Sequence, residues 1–208
     1  IFENAKRFSP DNIISSFSDI REALRKDSES QIGTYPLSSL QMNTYGLHEG
    51  EVVVVKARRG VGKTELLRAI EHHLLKTTKV NLGLIHLEED TGTTIKAIAG
   101  YELSVPATLP DCGLSEEDIL EGYKRAVSDD EGRVHLYLSF DREDEELLFN
   151  NIRFLVAAAG CKVIVLDHIT WLATGRDDDD ERKKLDRISQ GLKLLGKLDR
   201  ISQGLKLL

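Results

Sequence analysis

The chain has 208 residues, with 28 lysines and arginines against 35 aspartates and glutamates and a net charge of −7. That length suits one domain with a respectable core, and the acidic balance argues against a broad basic face for duplex DNA while leaving room for a narrow single-strand channel. A hydrophobic content of 40% with 30% charged residues reads as a soluble, cytoplasmic protein, with no apolar run long enough to span a bilayer and no secretory signal.

The first residue is Ile1 rather than Met, which reads as a piece of something longer. Cys112 and Cys161 lie far apart without metal-ligand spacing, so reduced thiols are expected. Residues 1–50 look like an approach segment. Ser9-Pro10-Asp11 signals a helix start, and Ile14, Phe17, Ile20 and Leu24 fall at helical spacing, so the pattern predicts a short amphipathic helix over 11–26. A polar linker over 26–34 and a turn at 47–51 follow.

The β-branched run Val52-Val53-Val54-Val55 predicts the first strand. It leads into Ala57-Arg58-Arg59-Gly60-Val61-Gly62-Lys63-Thr64 and then into Glu65-Leu66-Leu67-Arg68-Ala69-Ile70, the strand, glycine loop, Gly-Lys-Thr and helix order of a phosphate-binding loop. Each part has a task. Gly60 and Gly62 let bare backbone N–H groups approach phosphate oxygens, and the helix adds the positive end of its dipole. Lys63 reaches the β and γ phosphates, and the Thr64 hydroxyl is suited to a Mg²⁺ that keeps most of its waters. Position 57 is Ala where the strict pattern has Gly, a looser form that leaves the chemistry intact. The competing reading is a glycine-rich turn before an ordinary helix, and a strand and helix on the correct sides argue against it.

Residues 80–87 alternate and then run apolar, as a buried parallel strand does, and end in Glu88-Glu89-Asp90. A carboxylate there stands beside the nucleotide crevice of an open α/β sheet, where Glu88 could polarise the attacking water. Position alone balances that against a solvated acidic strand end. Residues 91–132 read as helix and loop, with a break at 106–113 and a start at Ser115-Glu116-Glu117. A third strand is expected over 133–140 and a helix over 144–159, closed by Gly160.

Lys162-Val163-Ile164-Val165-Leu166-Asp167-His168 is an apolar strand ending in Asp, the second nucleotide motif, in which Asp167 acts on the same Mg²⁺ as Thr64. Alone it is a weak signal; paired with Gly62-Lys63-Thr64 it is strong. His168 reads as a histidine satisfied by a neighbour rather than a ligand, and Trp171 as a packing residue. The acidic run 177–180 reads as a flexible solvated loop, ahead of a metal-binding role.

Residues 184–195 recur unchanged at 197–208, with Gly196 between. Leu185, Ile188, Leu192 and Leu195 make one helical face. A second copy 13 residues on has its apolar face turned by roughly 220°, so no continuous amphipathic helix is expected. The duplication reads as an assembly event rather than a designed element. The second copy is expected as a loosely attached helix or extension, unable to serve as a strand because its apolar residues keep helical spacing and Gly204 is poor in a strand.

Residues 57–64, the Leu87-Glu88-Glu89 string and residues 163–168 together resemble the hexameric RecA-like replicative helicases. The phage primase-helicases come first, with the DnaB-type and Twinkle helicases behind them. The Leu-Asp-His-Ile ending (166–169), the Asp-Glu-Arg-Lys run (180–183) and the 25-residue step from Lys63 to Glu88 look like the phage branch. The resemblance covers roughly 40–195. It implies an α/β, RecA-like P-loop NTPase with a mostly parallel central sheet flanked by helices, using ATP, dTTP or another NTP with Mg²⁺. It implies Lys63 and Thr64 on phosphates and metal, Glu88 as catalytic base and Asp167 on the metal. Single-stranded DNA, a homo-hexameric ring, a primase module and a DNA polymerase are the implied partners, without a membrane, in the host cytoplasm for a phage source.

Domain organisation follows: 1–40 as a linker that docks a helix on the next subunit, 41–195 as the ATPase core, and 196–208 as the duplicated tail. The 172–181 loop would face the central channel. The family's sensor strand, main DNA-binding loop and arginine finger are expected outside this stretch, and no primase or zinc module is read within it. The chain is therefore expected to be the front half of a motor, inactive by itself and short of a strand between the phosphate-loop strand and the strand at 163–166. A non-unwinding RecA-like ATPase, of recombinase or clock type, is the alternative.

Overall fold

The computed structural model describes residues 16–28, 31–128, 130–137, 145–169, 178–202 and 206–207. The chain forms two compact units, Ile1–Gln31 and Ile32–Leu208.

In the first unit, helix α1 spans Phe17–Ser28. Its start is set by a reciprocal cap: Asp19 N donates to Ser16 Oγ at 3.1 Å, and Ser16 N donates to Asp19 Oδ2 at 3.2 Å. The helix thus begins later and runs further than the expected 11–26, because Ser16 supplies the cap; residues 11–15 lie outside those described. Phe17, Ile20 and Leu24 are exposed along it, at 89%, 44% and 67%.

Strand β1 (Gln31–Gly33) begins at the last residue of the first unit, inside the stretch expected as linker, and pairs with β2 (Leu47–His48); α2 (Ser38–Thr44) lies between them in sequence. Helix α3 covers Lys63–Thr77 and buries Leu67, Ile70, Leu74 and Leu75. Strand β3 (Asn81–His86), helix α4 (Thr91–Leu103), helix α5 (Glu116–Val127), strand β4 (Val134–Leu136), helix α6 (Glu145–Ala157), strand β5 (Cys161–Asp167), helix α7 (Asp178–Ser202) and strand β6 (Lys206–Leu207) follow. The sheet order is β4-β3-β5-β6 and every pairing is parallel.

Alternation along the central strands builds two cores. Leu82, Leu84, Val163 and Val165 face Leu67, Ile70, Leu74, Ile98 and Ala126 on one side. Ile85, Cys161 and Ile164 face Leu148, Ile152, Leu155, Ile188 and Leu192 on the other. Gly83 permits the second layer to close: a Cβ there would lie 2.6 Å from Ile164 Cδ1 and 3.0 Å from Leu155 Cδ1. Burial lifts the Cys161 thiol to about 12, so it is an inert packing group. Arg133, 4% exposed, donates to Leu75 O at 2.9 Å and Thr78 O at 2.8 Å, satisfying carbonyls left over at the end of α3. Ser115 and Asp118 form the capping box of α5.

Two further expectations change. Among the described residues the valine run 52–55 carries only an isolated bridge at Val52 and no strand; Val53 and Val55 pack toward the first core and Val52 toward the second. A strand needs a hydrogen-bonding neighbour at about 4.8 Å, and a cleft of about 420 Å³ separates this run from the end of β5. The acidic run does not stay loop, since α7 begins at Asp178 within it, a helix end where carboxylates are favoured. Residues 170–177, with Trp171, lie outside those described.

The tail also departs from expectation. Helix α7 runs straight through Gly196 into the second copy, because helix continuity needs backbone hydrogen bonds rather than a matching apolar face; one internal glycine costs only about 1 kcal/mol. Lys206 and Leu207 then pair with Val163 and Ile164, so the second copy does supply a short strand to the edge of β5. Among the described residues no helix is long and apolar enough to cross a membrane.

Candidate functional site

The glycine loop 57–62 is exposed throughout. Gly60 has φ +79° and Gly62 φ +90°, and a Cβ at either would meet nothing within 4 Å, so the loop turns through left-handed conformations beside open space. Gly62 is the N-cap of α3 and has no side chain to occupy the first N–H groups, which stay free for an anion. Lys63 Nζ folds back onto Ala57 O at 3.3 Å. Thr64 Oγ1 donates to Asp167 Oδ2 at 2.8 Å across 103 residues of sequence. The fold thus brings together the two oxygen groups that the sequence assigns to magnesium.

The three carboxylates after β3 have separate surroundings. Asp90 is the N-cap of α4, its Oδ1 accepting from Thr93 N at 2.8 Å, and this holds its carboxyl below the ordinary range. Glu89 is bound on every side: Arg68 Nη2 at 2.5 Å, His86 Nδ1 at 2.8 Å and Thr94 Oγ1 at 2.9 Å. Burial pushes its pKa up, but the hydrogen bond and charge of His86, helped by Thr94 and Arg68, outweigh this and hold it at about 2. Glu88 keeps a 52% exposed side chain, with Oε1 2.6 Å from His168 Nδ1. His168 sits at φ +68°, a left-handed conformation uncommon for a residue with a side chain, and its Nε2 is 3.8 Å from Asp167 Oδ1.

Sequence reasoning missed the buried ions behind this turn. His86 Nε2 is 3.0 Å from Glu71 Oε1, and the two side chains are 4% and 1% exposed. Burial lowers the pKa of His86, but its bonds to Glu71 and Glu89 prevail and raise it to about 10. The available signal was polar type in an apolar place: Glu71 interrupts the Leu67, Ile70, Leu74 stripe of α3, and His86 closes an apolar strand. The cleft between the valine run and β5 has Lys63, Asp167 and His168 at its polar end and Leu67, Leu166, Leu185 and Leu192 in its apolar part.

Parallel strands with helices on both faces, a glycine loop opening α3 and an Asp ending β5 define an α/β fold of RecA type. A KaiC-like protein from the hyperthermophilic archaeon Pyrococcus horikoshii shares the fold, with a TM-score of 0.55, 18% identity, and coverage of 85% of this chain and 67% of that one. Residues 34–202 match the family model described as DnaB-like helicase C terminal domain, and the chain belongs to that family. It is 30% identical over 201 residues to a DNA helicase/primase of Enterobacteria phage T3, covering 93% of this chain and 35% of the phage protein. It is also 23% identical over 186 residues to a replicative DNA helicase DnaB of Leifsonia xyli, covering 88% of this chain and 40% of that protein. The chain therefore spans well under half the length of these relatives.

Proposed function

We propose that this chain is the nucleotide-binding part of a replicative DNA helicase motor, which hydrolyses ATP, dTTP or another NTP between subunits of a homo-hexamer and translocates on single-stranded DNA. The observation that carries the reading is the 2.8 Å contact between Thr64 and Asp167, next to Lys63 and an open glycine loop.

The residues fit a magnesium nucleotide. Thr64 and Asp167 offer the hard oxygens that Mg²⁺ prefers, and the space beside Gly60 and Gly62 admits phosphate. When bound, Mg²⁺ offsets charge on the β and γ oxygens. The N–H groups of 58–64 and the start of α3 bind the phosphates, and Lys63 exchanges its contact with Ala57 O for a phosphate oxygen. Glu88 accepts the proton of the attacking water, because it is the carboxylate of this turn that is neither capping a helix nor buried among ions. His168 holds Glu88 toward the end of β5.

In this reading α1, with its exposed Phe17, Ile20 and Leu24, is the segment that docks on the neighbouring subunit of the ring. The stretch 172–181, of which 178–181 open α7, is assigned to the DNA channel, a primase module and a DNA polymerase are further partners, and the protein acts in the cytoplasm.

Turnover in the full-length protein, with and without single-stranded DNA, tests the proposal. DNA-stimulated hydrolysis that Lys63→Ala reduces by about 10²–10³-fold is expected, the scale of losing one donor aimed at developing charge. Unchanged turnover in that variant would sink the nucleotide site. Hydrolysis indifferent to DNA, with no unwinding, would favour the non-unwinding ATPase instead.

A further inference from the structure

We propose that the hydrogen-bonded chain Glu71–His86–Glu89–Arg68, buried at its Glu71–His86 end, is a positioning device that ties the turn carrying Glu88 to the helix carrying Lys63 and Thr64. The proposal rests on the reading of Glu88 as the catalytic carboxylate.

The geometry is specific. Arg68 and Glu71 are three residues apart on α3, so they lie on one face of the helix that Lys63 opens. His86 is the last residue of β3 and Glu89 follows Glu88 directly, so Glu88 is flanked on both sides by residues bonded to α3 or to each other. Both His86 ring nitrogens face carboxylates, at 2.8 Å and 3.0 Å, which only a ring donating from both can satisfy. Thr94 Oγ1 ties Glu89 to α4 at 2.9 Å, and Leu87 N donates to Asp167 O at 3.3 Å, joining the same turn to the end of β5.

Stability does not account for this arrangement. Buried ion pairs replaced by apolar residues of similar volume commonly leave a protein as stable or more so. Here one oxygen of the fully buried Glu71, Oε2, also lacks a hydrogen-bond partner in the protein. What the chain does supply is a fixed distance between three groups on different elements: Lys63 on α3, Asp167 on β5 and Glu88 after β3. A water-activating carboxylate needs that, since displacement by an ångström costs on the order of a hundredfold in rate.

The test uses Glu71→Met combined with His86→Leu in the full-length protein, which removes two opposite buried charges while keeping volume. The melting point should hold or rise, affinity for magnesium nucleotide should stay within about twofold, and kcat should fall on the order of a hundredfold. Amide exchange at 87–90 should quicken. Added to Glu88→Gln, the pair should cost nothing further, because both act through one carboxylate. Unchanged kcat, unchanged exchange at 87–90, a loss that multiplies with that of Glu88→Gln, or nucleotide affinity falling in step with kcat would each overturn the proposal. If the double variant melts low, Thr94→Val, which removes the tie from Glu89 to α4 and keeps volume, is read by the same measurements. Failure of the underlying reading looks different: Glu88→Gln alone would then turn over normally, while amide exchange would still show whether the ions hold the turn.

Discussion

The phosphate loop and the turn after β3 meet the same end of β5, and they are built in opposite ways. The loop is exposed along residues 57–62, and the nearest support is the backbone of α3. The turn is anchored by a chain of four charged groups, buried at its Glu71–His86 end, and by a helix cap at Asp90. The difference follows from what each part offers a ligand. The loop offers main-chain N–H groups, whose direction is set once a helix starts, so glycine and α3 suffice. The turn offers one carboxylate on a flexible side chain, and aiming it takes neighbours. Three adjacent acidic residues divide the labour: Asp90 caps, Glu89 anchors, and Glu88 is left exposed beside His168.

The largest expected effect tests that division directly. Glu88→Gln should lower hydrolysis by about 10²–10⁴-fold while leaving the urea midpoint and nucleotide affinity in place. Glu89→Gln should instead lower stability by about 1–3 kcal/mol, because His86 and Arg68 lose a charged partner. Paired turnover assays and urea titrations of the two variants decide it; a reversed pattern would place the working carboxylate one residue further on.

A smaller effect sharpens the contrast through pH. Glu89 is held at about 2, below its ordinary 4.5, so its contribution is fully present above pH 4.5 and is lost as pH falls toward 2. His86 is raised from 6.5 to about 10, so its contribution is fully present below pH 6.5 and is lost as pH rises through 10. Stability from the turn should be flat between pH 4.5 and 6.5 and decline on both sides. Urea midpoints across pH for the wild type and for Glu71→Met with His86→Leu should differ by loss of the alkaline decline; parallel curves would show that the ions do not act as described.

The smallest effect belongs to the loop. At Gly60, φ +79° with nothing within 4 Å of an added Cβ, Gly60→Ala meets no clash and only a backbone penalty of about 1–2 kcal/mol. Nucleotide affinity should fall by about tenfold, with the melt almost unmoved. Titration with a fluorescent nucleotide measures this, and a large drop in the melt would show that the loop is packed rather than free.

Much of the fold was legible along the chain. Residues 81–86 and 161–167, the helices after them, the αL residue Gly160 and the Ser115 cap follow from period and end signals, and the family match bears out the resemblance read from the three nucleotide motifs. The valine run was misread because β-branched residues favour a strand only where another strand is available to pair. The duplicated segment makes the same point within one molecule. Lys193 and Leu194 are helical inside α7, whereas the identical Lys206 and Leu207 of the second copy form a strand on β5. In the first copy Ile188, Leu192 and Leu195 are buried in the second core, a face already filled when the second copy arrives.

What the sequence determined by itself is local: a glycine loop between an apolar run and a helix, an Asp closing an apolar strand, a cap at Ser115, and a carboxylate cluster after β3. These depend on backbone conformation and on partners a few residues away, so composition and spacing carry them. Only the tertiary structure decided which of Glu88 and Glu89 is enclosed by partners, that Thr64 and Asp167 touch across 103 residues, and that His86 is locked between Glu71 and Glu89. Each of these turns on which element lies beside which. Burial and ion pairing depend on neighbours in space, and a charged residue reads the same in sequence whether water or another charge surrounds it.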